Sequence, residues 1–131
     1  AFPNSSIAAF KTGDKTSEGV LDWVPQRAYF ISNLRKGEVR GLHAHKQLRQ
    51  LYVAVTGTLK VSTWSKDGQE EFILNSPSCG LHLAPMVWRE VVAQTEGACL
   101  SVLASDNYFE SDYIRSKDEF ENVLSKMNDP S

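Results

Sequence analysis

The residues with the clearest chemical potential are two histidines separated by one position, in the stretch His43-Ala44-His45. In a β-strand, residues two positions apart point to the same face, so both imidazoles can reach one bound molecule. Imidazole takes up and releases protons near neutral pH, which suits it to moving protons on and off carbon or oxygen. The alternative is that one histidine packs in the core and the other is solvated. The spaced pair favours a shared acid–base site.

A metal ion is another ligand that such a pair can hold. The spacing of the two histidines between Gly37 and Gly57 resembles the first sequence motif of the cupin family, in which an acidic metal ligand follows the histidines. Here Gln50 stands at the acidic position, and Arg89 stands where the second cupin motif carries a third histidine. A guanidinium repels a divalent cation, and two imidazoles with an amide make a weak metal site. The sequence therefore predicts a site without a metal or other cofactor.

The elements that must position these side chains are short strands. Apolar or alternating runs separated by turn residues are typical of an antiparallel barrel or sandwich. With the cupin-like motif, they predict an all-β fold of the cupin, or jelly-roll barrel, type. Strands are predicted at residues 7–11, 20–24, 27–31, 41–45, 50–56, 58–64, 70–74, 80–83, 87–93 and 99–105.

Two local features of this pattern are specific. Alternating apolar residues predict a hairpin across Gly57, and Asp67-Gly68 predicts a second tight turn. The hairpin would pair Leu51, Val53 and Val55 with Leu59, Val61 and Thr63. After Ser116 the period becomes helical, and Glu119 completes a capping box at the start of a helix over about 117–127. We expect this helix to pack its apolar stripe against the barrel or a partner subunit. The stripe consists of Phe120, Val123, Leu124 and Met127.

The bulk composition excludes several classes of partner. The chain has 131 residues, 14 of them basic and 16 acidic, with a net charge of -2. This length suits one hydrophobic core, so we expect a single domain over residues 1–131. The balanced charge offers no basic field for nucleic acid or anionic lipid, and no apolar run approaches a membrane span. Cys79 and Cys99 lack zinc-site spacing, and we interpret them as free thiols of a cytoplasmic protein.

A more specific resemblance is carried by separated segments in the same order and spacing. These segments are residues 40–46, 76–81, 85–88, 103–108 and 111–115. They are similar to the dTDP-sugar 3,4-ketoisomerases of the WxcM-like cupin family. The resemblance implies a metal-free cupin homodimer that converts dTDP-4-keto-6-deoxyglucose to its 3-keto isomer through an enediolate. Such products supply aminotransferases that make 3-amino-6-deoxy sugars.

The resemblance also implies roles for individual residues. His43 would be the base at carbon, His45 would move protons between the two oxygens, and Tyr29 would hydrogen-bond the developing oxyanion. Arg40 can grip a diphosphate with two parallel hydrogen bonds, where a lysine would offer only a point charge. Further predicted substrate contacts are Lys46, Gln50, Trp88 and Arg89.

Two departures from the family pattern leave other functions open. The stretch 15–21 lacks the usual Asp-x-Arg-Gly, and Trp88-Arg89-Glu90 replaces the usual Trp-His-Glu. Both touch possible substrate contacts, so the sugar configuration, the nucleotide or activity itself can differ from the usual member. The alternatives are a 3,5-epimerase-like cupin, a non-catalytic nucleotide-sugar-binding cupin and a metal-dependent dioxygenase. The missing metal ligands argue against the dioxygenase.

Overall fold

The structure is a computed structural model that describes residues 8–11, 14–17 and 23–127, with side chains described from residue 23 onward. Nearly every element in the described part is a strand, and one α-helix closes it. The strands are β1 Ala8–Lys11, β2 Asp14–Ser17, β3 Arg27–Leu34, β4 Val39–His45, β5 Gln50–Thr56, β6 Leu59–Ser65, β7 Gly68–Leu74, β8 Cys79–Leu83, β9 Trp88–Ala93, β10 Ala98–Ala104 and β11 Tyr113–Ile114. A short 3-10 helix, Glu110–Asp112, precedes β11, and helix α1 is Lys117–Met127.

The strands form two sheets. One has the order β2-β1-β8-β5-β10-β3, and the other has the order β11-β4-β9-β6-β7. All pairs are antiparallel except β1 with β8, which is parallel. Many of these pairs join strands that are distant along the chain, as jelly-roll topologies do. The predicted all-β cupin class with one short C-terminal helix is therefore confirmed.

Strict alternation explains how the sheets share one core. In β10, Ala98, Leu100, Val102 and Ala104 are buried while the intervening residues are partly exposed. The same alternation in β6 buries Leu59 and its alternate neighbours. The largest buried apolar cluster draws on both sheets and includes Leu34, Tyr52, Ala54, Leu59, Val61, Leu81, Leu83, Val91, Leu100 and Val102.

The hairpin predicted across Gly57 is wrong. β5 pairs with β8 and β10, whereas β6 pairs with β7 and β9, so the chain passes from one sheet to the other at this glycine. Gly57 has a φ of 73°, and a Cβ there would lie 2.5 Å from the Thr95 hydroxyl oxygen. Leu51 and Val53 lie in a separate cluster with Trp23, so β5 carries apolar residues on both faces. The alternation of apolar and polar residues alone therefore could not identify which face of β5 points into the main core.

The C-terminal prediction is largely confirmed. The helix spans Lys117–Met127, and the Ser116 hydroxyl accepts a hydrogen bond from the Glu119 backbone N–H at 3.3 Å. Phe120 is buried against Trp88, but Met127 is 57% exposed, so the apolar stripe packs mainly through its first turns. The pattern missed strands β2 and β11. The predicted strand 20–24 lies mostly outside the described residues.

Candidate active site

A β-bulge in β4 sets the position of the first histidine. Gly41 pairs with Glu90 and His43 pairs with Arg89, so Leu42 is an extra residue in the ladder. Leu42 has a φ of 50° and Gly41 a φ of 91°. At Gly41 a Cβ would lie 3.1 Å from the Arg89 carbonyl oxygen, so a side chain would crowd the neighbouring strand. The bulge thus brings His43 directly opposite Arg89.

The two histidines lie together and are both buried. Their ring centroids are 4.7 Å apart, with His43 8% exposed and His45 fully buried. His43 Nδ1 lies 2.6 Å from the Gly41 carbonyl oxygen, which can only accept, so Nδ1 carries the proton. His45 Nδ1 lies 3.0 Å from Asp112 Oδ2 and donates to it in the same way. Among the described residues neither Nε2 has a partner, so each presents a lone pair.

Asp112 joins the candidate site through His45, and the sequence did not predict it. It ends the short 3-10 helix, and its other oxygen, Oδ1, accepts the Gln47 backbone N–H at 2.7 Å. Its main-chain oxygen also accepts the Lys46 backbone N–H at 2.9 Å. These bonds fix the carboxylate behind His45. Because 67 positions separate the two residues, the spacing that revealed the histidine pair gave no signal for their partner.

The surroundings hold both imidazoles in the neutral form. Burial, followed by the positive charge of Arg89, lowers the pKa of His43 to about 3. Burial and the charges of Arg89 and Arg27 lower the pKa of His45 to about 3. The Asp112 carboxylate beside His45 Nδ1 opposes that depression, since a negative neighbour favours the protonated ring. At neutral pH both rings can therefore accept a proton.

Arg89 brings a positive charge into this interior, and it has no carboxylate partner in the described part of the chain. It is fully buried, and its hydrogen bonds go to neutral acceptors. Nη1 donates to Gln50 Oε1 at 2.6 Å and to the Tyr52 hydroxyl at 3.2 Å, while Nε donates to the Val87 carbonyl at 3.2 Å. Nη2 has no partner among the described residues. A buried cation with a spare donor is suited to an anionic oxygen.

Tyr29 extends this polar group from the neighbouring sheet. The Gln50 side-chain amide donates to its hydroxyl at 3.4 Å, which links Tyr29 to Arg89 through Gln50. Burial raises the pKa of Tyr29 to about 12. The phenol therefore keeps its proton and can donate a hydrogen bond.

Three of the predicted substrate contacts lie apart from the cluster formed by the two histidines, Arg89, Gln50 and Tyr29. Trp88 is 3% exposed and packs against Phe120 under helix α1. The Arg40 side chain is 52% exposed and pairs with Glu38 at 2.9 Å. Lys46 is exposed on the turn after β4. The alternation along β9 explains Trp88, because Arg89 takes the inner face and its neighbour takes the outer one.

Two further residues of the group were also missed. Tyr113, in β11, has its ring centroid 5.1 Å from that of His43 and 4.4 Å from that of His45. The Arg27 guanidinium lies 5.1 Å from the Tyr29 ring centroid. Arg27 precedes Tyr29 by two positions on one strand, and this spacing could have predicted that both side chains lie on the same face.

The described part of the chain also limits other kinds of site. No three His, Cys, Asp or Glu side chains come together there as a metal site would require. Its single α-helix is too short and too polar to cross a membrane. The buried histidines, arginine and tyrosine thus remain the candidate site.

A small all-β protein with paired interior histidines belongs, by fold and site, to the class of cupin barrels. The chain belongs in particular to the family described as FdtA, WxcM-like, C-terminal, whose pattern matches residues 8–125. A TDP-4-oxo-6-deoxy-alpha-D-glucose-3,4-oxoisomerase of Aneurinibacillus thermoaerophilus is 39% identical over 103 residues, which are 79% of this chain and 74% of that protein. The predicted family is therefore confirmed.

Solved structures agree with this assignment. QdtA, a sugar 3,4-ketoisomerase from Thermoanaerobacterium thermosaccharolyticum crystallised with TDP, is 39% identical, with a TM-score of 0.75 over 79% of this chain and 76% of that one. A 3,4-ketoisomerase from Helicobacter canadensis is 34% identical, with a TM-score of 0.76 over 84% and 87% of the two chains. A histidine-to-asparagine mutant of QdtA was crystallised with TDP-4-keto-6-deoxyglucose.

Proposed function

We propose that this protein is a nucleotide-sugar 3,4-ketoisomerase that converts dTDP-4-keto-6-deoxyglucose to a dTDP-3-keto-6-deoxyhexose. The observation that carries the proposal is the pair of buried, neutral imidazoles beside the positive charge of Arg89, with neither Nε2 atom hydrogen-bonded to any described residue. Two bases and one cation match a reaction that moves two protons through an anionic intermediate. The named activities of the relatives supply the substrate class.

The first step is removal of the proton on C3, which the neighbouring C4 carbonyl makes acidic. We assign this step to His45, because the Asp112 carboxylate orients its ring and stabilises the imidazolium that forms. His43 donates to the neutral Gly41 carbonyl, which stabilises an imidazolium less than a carboxylate does. This assignment reverses the roles that the family resemblance implied. The electron pair of the C3–H bond becomes the C3–C4 double bond, and C4 oxygen becomes the oxyanion.

The intermediate is an enediolate, and the site offers it two donors. Arg89 Nη2 has no partner among the described residues, and the Tyr29 phenol keeps its proton. Donors aimed at developing charge in a buried site stabilise it more strongly than water would. Two proton transfers complete the reaction. His45 returns its proton to C4, and His43 moves the hydroxyl proton from the C3 oxygen to the C4 oxygen. No proton is gained or lost overall.

No metal or other cofactor enters this proposal. Arg89 occupies the position of a cupin metal ligand, and Gln50 accepts its hydrogen bond at 2.6 Å. The guanidinium therefore supplies the positive charge that a metal would supply elsewhere. We propose a cytoplasmic enzyme, since Cys79 and Cys99 are both free thiols.

We also propose that the protein is a homodimer. Strand β3 lies at the edge of its sheet, and Phe30 on this strand is 65% exposed. Val24, just before the strand, is 72% exposed. An exposed apolar strand edge is a common surface for pairing of two copies.

The test is NMR of the product formed from dTDP-4-keto-6-deoxyglucose. A ketoisomerase moves the carbonyl from C4 to C3. A 3,5-epimerase would invert C3 and C5 and leave the carbonyl at C4, while a binding protein would leave the sugar unchanged. In D₂O a binding protein would also leave the C3 proton unexchanged. A product epimerised at C3 and C5, or a sugar that remains unchanged, would contradict the proposal.

A further inference from the structure

We infer that the Thr63 hydroxyl binds an oxygen of the hexose in the interior of the barrel and so helps to select the substrate, an inference that rests on the proposed function. Thr63 lies on β6 and is buried, with 1% of the residue exposed. Its Oγ1 has no hydrogen-bond partner among the described residues. A buried hydroxyl is normally hydrogen-bonded, because an unpaired one has lost its bonds to water without replacing them. A bound sugar supplies the missing partner.

The alternation along β6 directs the Thr63 side chain into the interior. Residues two positions apart on a strand share a face. Leu59 and Val61, which precede Thr63 at this spacing, belong to the main core cluster between the sheets. Trp64 lies on the opposite face and packs against the smaller cluster that contains Phe120 of helix α1. Thr63 therefore faces the same interior as Val61.

Strand pairing aligns Thr63 with two groups of the candidate site. Thr63 pairs with Arg89, and Arg89 in turn pairs with His43. The three residues form one row across β6, β9 and β4, and directly paired side chains have Cβ atoms about 4.5 to 5.5 Å apart. Among the described residues Arg89 Nη2 also has no partner, so the guanidinium and the Thr63 hydroxyl do not bond each other. Both groups remain available to a molecule that lies against His43.

A hydroxyl suits the oxygens that the proposed reaction changes. The C3 oxygen begins as a hydroxyl and ends as a carbonyl, and the C4 oxygen changes in the opposite direction. A carbonyl oxygen can only accept a hydrogen bond, whereas a hydroxyl can donate or accept. The Thr63 hydroxyl can rotate to donate to the one or accept from the other, while Arg89 can only donate. Thr63 therefore fits an oxygen on C3 or C4 in the substrate and in the product.

The experiment measures binding of dTDP-4-keto-6-deoxyglucose and of dTDP by calorimetry, in a His45→Asn background that stops turnover. Thr63→Val replaces the hydroxyl by a methyl group and should weaken binding of the keto sugar about 3- to 30-fold, with no change in dTDP binding. Thr63→Ser keeps a hydroxyl and should recover most of the affinity. Thr56→Val is the matched control, since Thr56 is exposed at the opposite end of β5 from Gln50. It should bind both ligands as its parent does.

Unchanged affinity of Thr63→Val for the keto sugar would overturn the inference and would assign Oγ1 to a buried water instead. An equal loss for dTDP and the keto sugar would also overturn it, because the contact would then not be with the hexose. Urea denaturation should show Thr63→Val to be at least as stable as its parent, since no hydrogen bond within the protein is lost. A marked loss of stability would mean that Oγ1 has a partner in the protein, and would contradict the inference.

The proposed function is tested separately by turnover of the keto sugar by the wild type. If the wild type yields no 3-keto product but Thr63→Val still loses affinity for the keto sugar alone, the contact with the hexose is retained and the isomerase function is lost. If the wild type yields the product and Thr63→Val binds the keto sugar as its parent does, the function is retained and the contact is lost.

Discussion

At the scale of single residues, the hydrogen bonds behind the two imidazoles distinguish them. His43 donates to a neutral carbonyl, whereas His45 donates to the Asp112 carboxylate. A carboxylate fixes the tautomer of its histidine and stabilises the charged ring during proton transfer. Two residues of the same type thereby differ in the group that stabilises the ring once it has taken up a proton.

Asp112→Asn should lower kcat by about 10²- to 10⁴-fold, because His45 would lose the charge that stabilises its protonated form. KM should change little, since Asp112 lies behind His45 and the amide oxygen can still accept the Gln47 N–H. Steady-state turnover of dTDP-4-keto-6-deoxyglucose measures both constants. Asp106→Asn is the control, because Asp106 is a carboxylate of the same loop and accepts a hydrogen bond from the Asn107 backbone N–H. Wild-type kcat in Asp112→Asn would contradict the role of His45 as the base that removes the C3 proton.

The buried, neutral state of His43 predicts a specific pH dependence of stability. Its folded pKa of about 3 lies below the ordinary value of 6.5. Below pH 6.5 the unfolded chain binds a proton that the folded chain does not, so the free energy of unfolding falls as the pH falls toward 3. Between pH 7 and pH 5 the wild type should lose about 1 to 2 kcal/mol more than His43→Asn.

Urea denaturation of the two proteins at each pH measures this difference. Between pH 7 and pH 8 the imidazole is neutral in both folded and unfolded chains, so the difference should stay constant there. Equal pH dependence of the two proteins down to pH 5 would mean that His43 is solvated and not buried.

At the scale of elements, the bulge in β4 determines how the site is assembled. Leu42 is extruded with a φ of 50°, so the register between β4 and β9 shifts just before His43. Gly41 allows this shift because its lack of a side chain lets β4 approach Arg89. Such local strain is typical of functional sites and is compensated by the surrounding structure.

Gly41→Ala should destabilise the protein and lower turnover, and Gly68→Ala provides the matched control. Both glycines have a positive φ, 91° and 102°, so both variants carry a similar backbone strain of about 1 to 3 kcal/mol. The added Cβ meets nothing within 4 Å at Gly68, but at Gly41 it lies 3.1 Å from the Arg89 carbonyl oxygen. The free energy of unfolding should therefore drop further in Gly41→Ala, and kcat should fall only there. Equal losses would indicate that the close contact is unimportant.

The sequence was informative where a signal was local. Alternation predicted most strands, the i and i+2 spacing predicted the paired histidines, and the Ser116–Glu119 spacing predicted the helix start. It failed where an outcome depended on distant partners. The hairpin at Gly57 was mispredicted because β5 is buried on both faces, and Asp112 was missed because it meets His45 only in the folded protein.

At the scale of the whole molecule, the exposed apolar residues on edge strand β3 predict that two copies form a dimer. Light scattering at micromolar concentration should give the mass of a dimer, and Phe30→Asp should shift it to a monomer by placing charge on the exposed edge strand. Ile73→Asp is the control, since Ile73 is 55% exposed on β7, the edge of the other sheet. A monomeric wild type would contradict the proposed dimer.

The passage of the chain between sheets at Gly57 has a consequence for the order in which activity is acquired. Because β5 and β6 do not pair, the central strands must find partners far along the chain, and such non-local pairing closes long loops and makes folding slow. The site is assembled from segments that are far apart along the chain and that carry Arg27, the two histidines, Arg89 and Asp112. On the proposed mechanism, a chain emerging from the ribosome therefore cannot complete its site until Asp112 has been synthesised and β11 has joined β4.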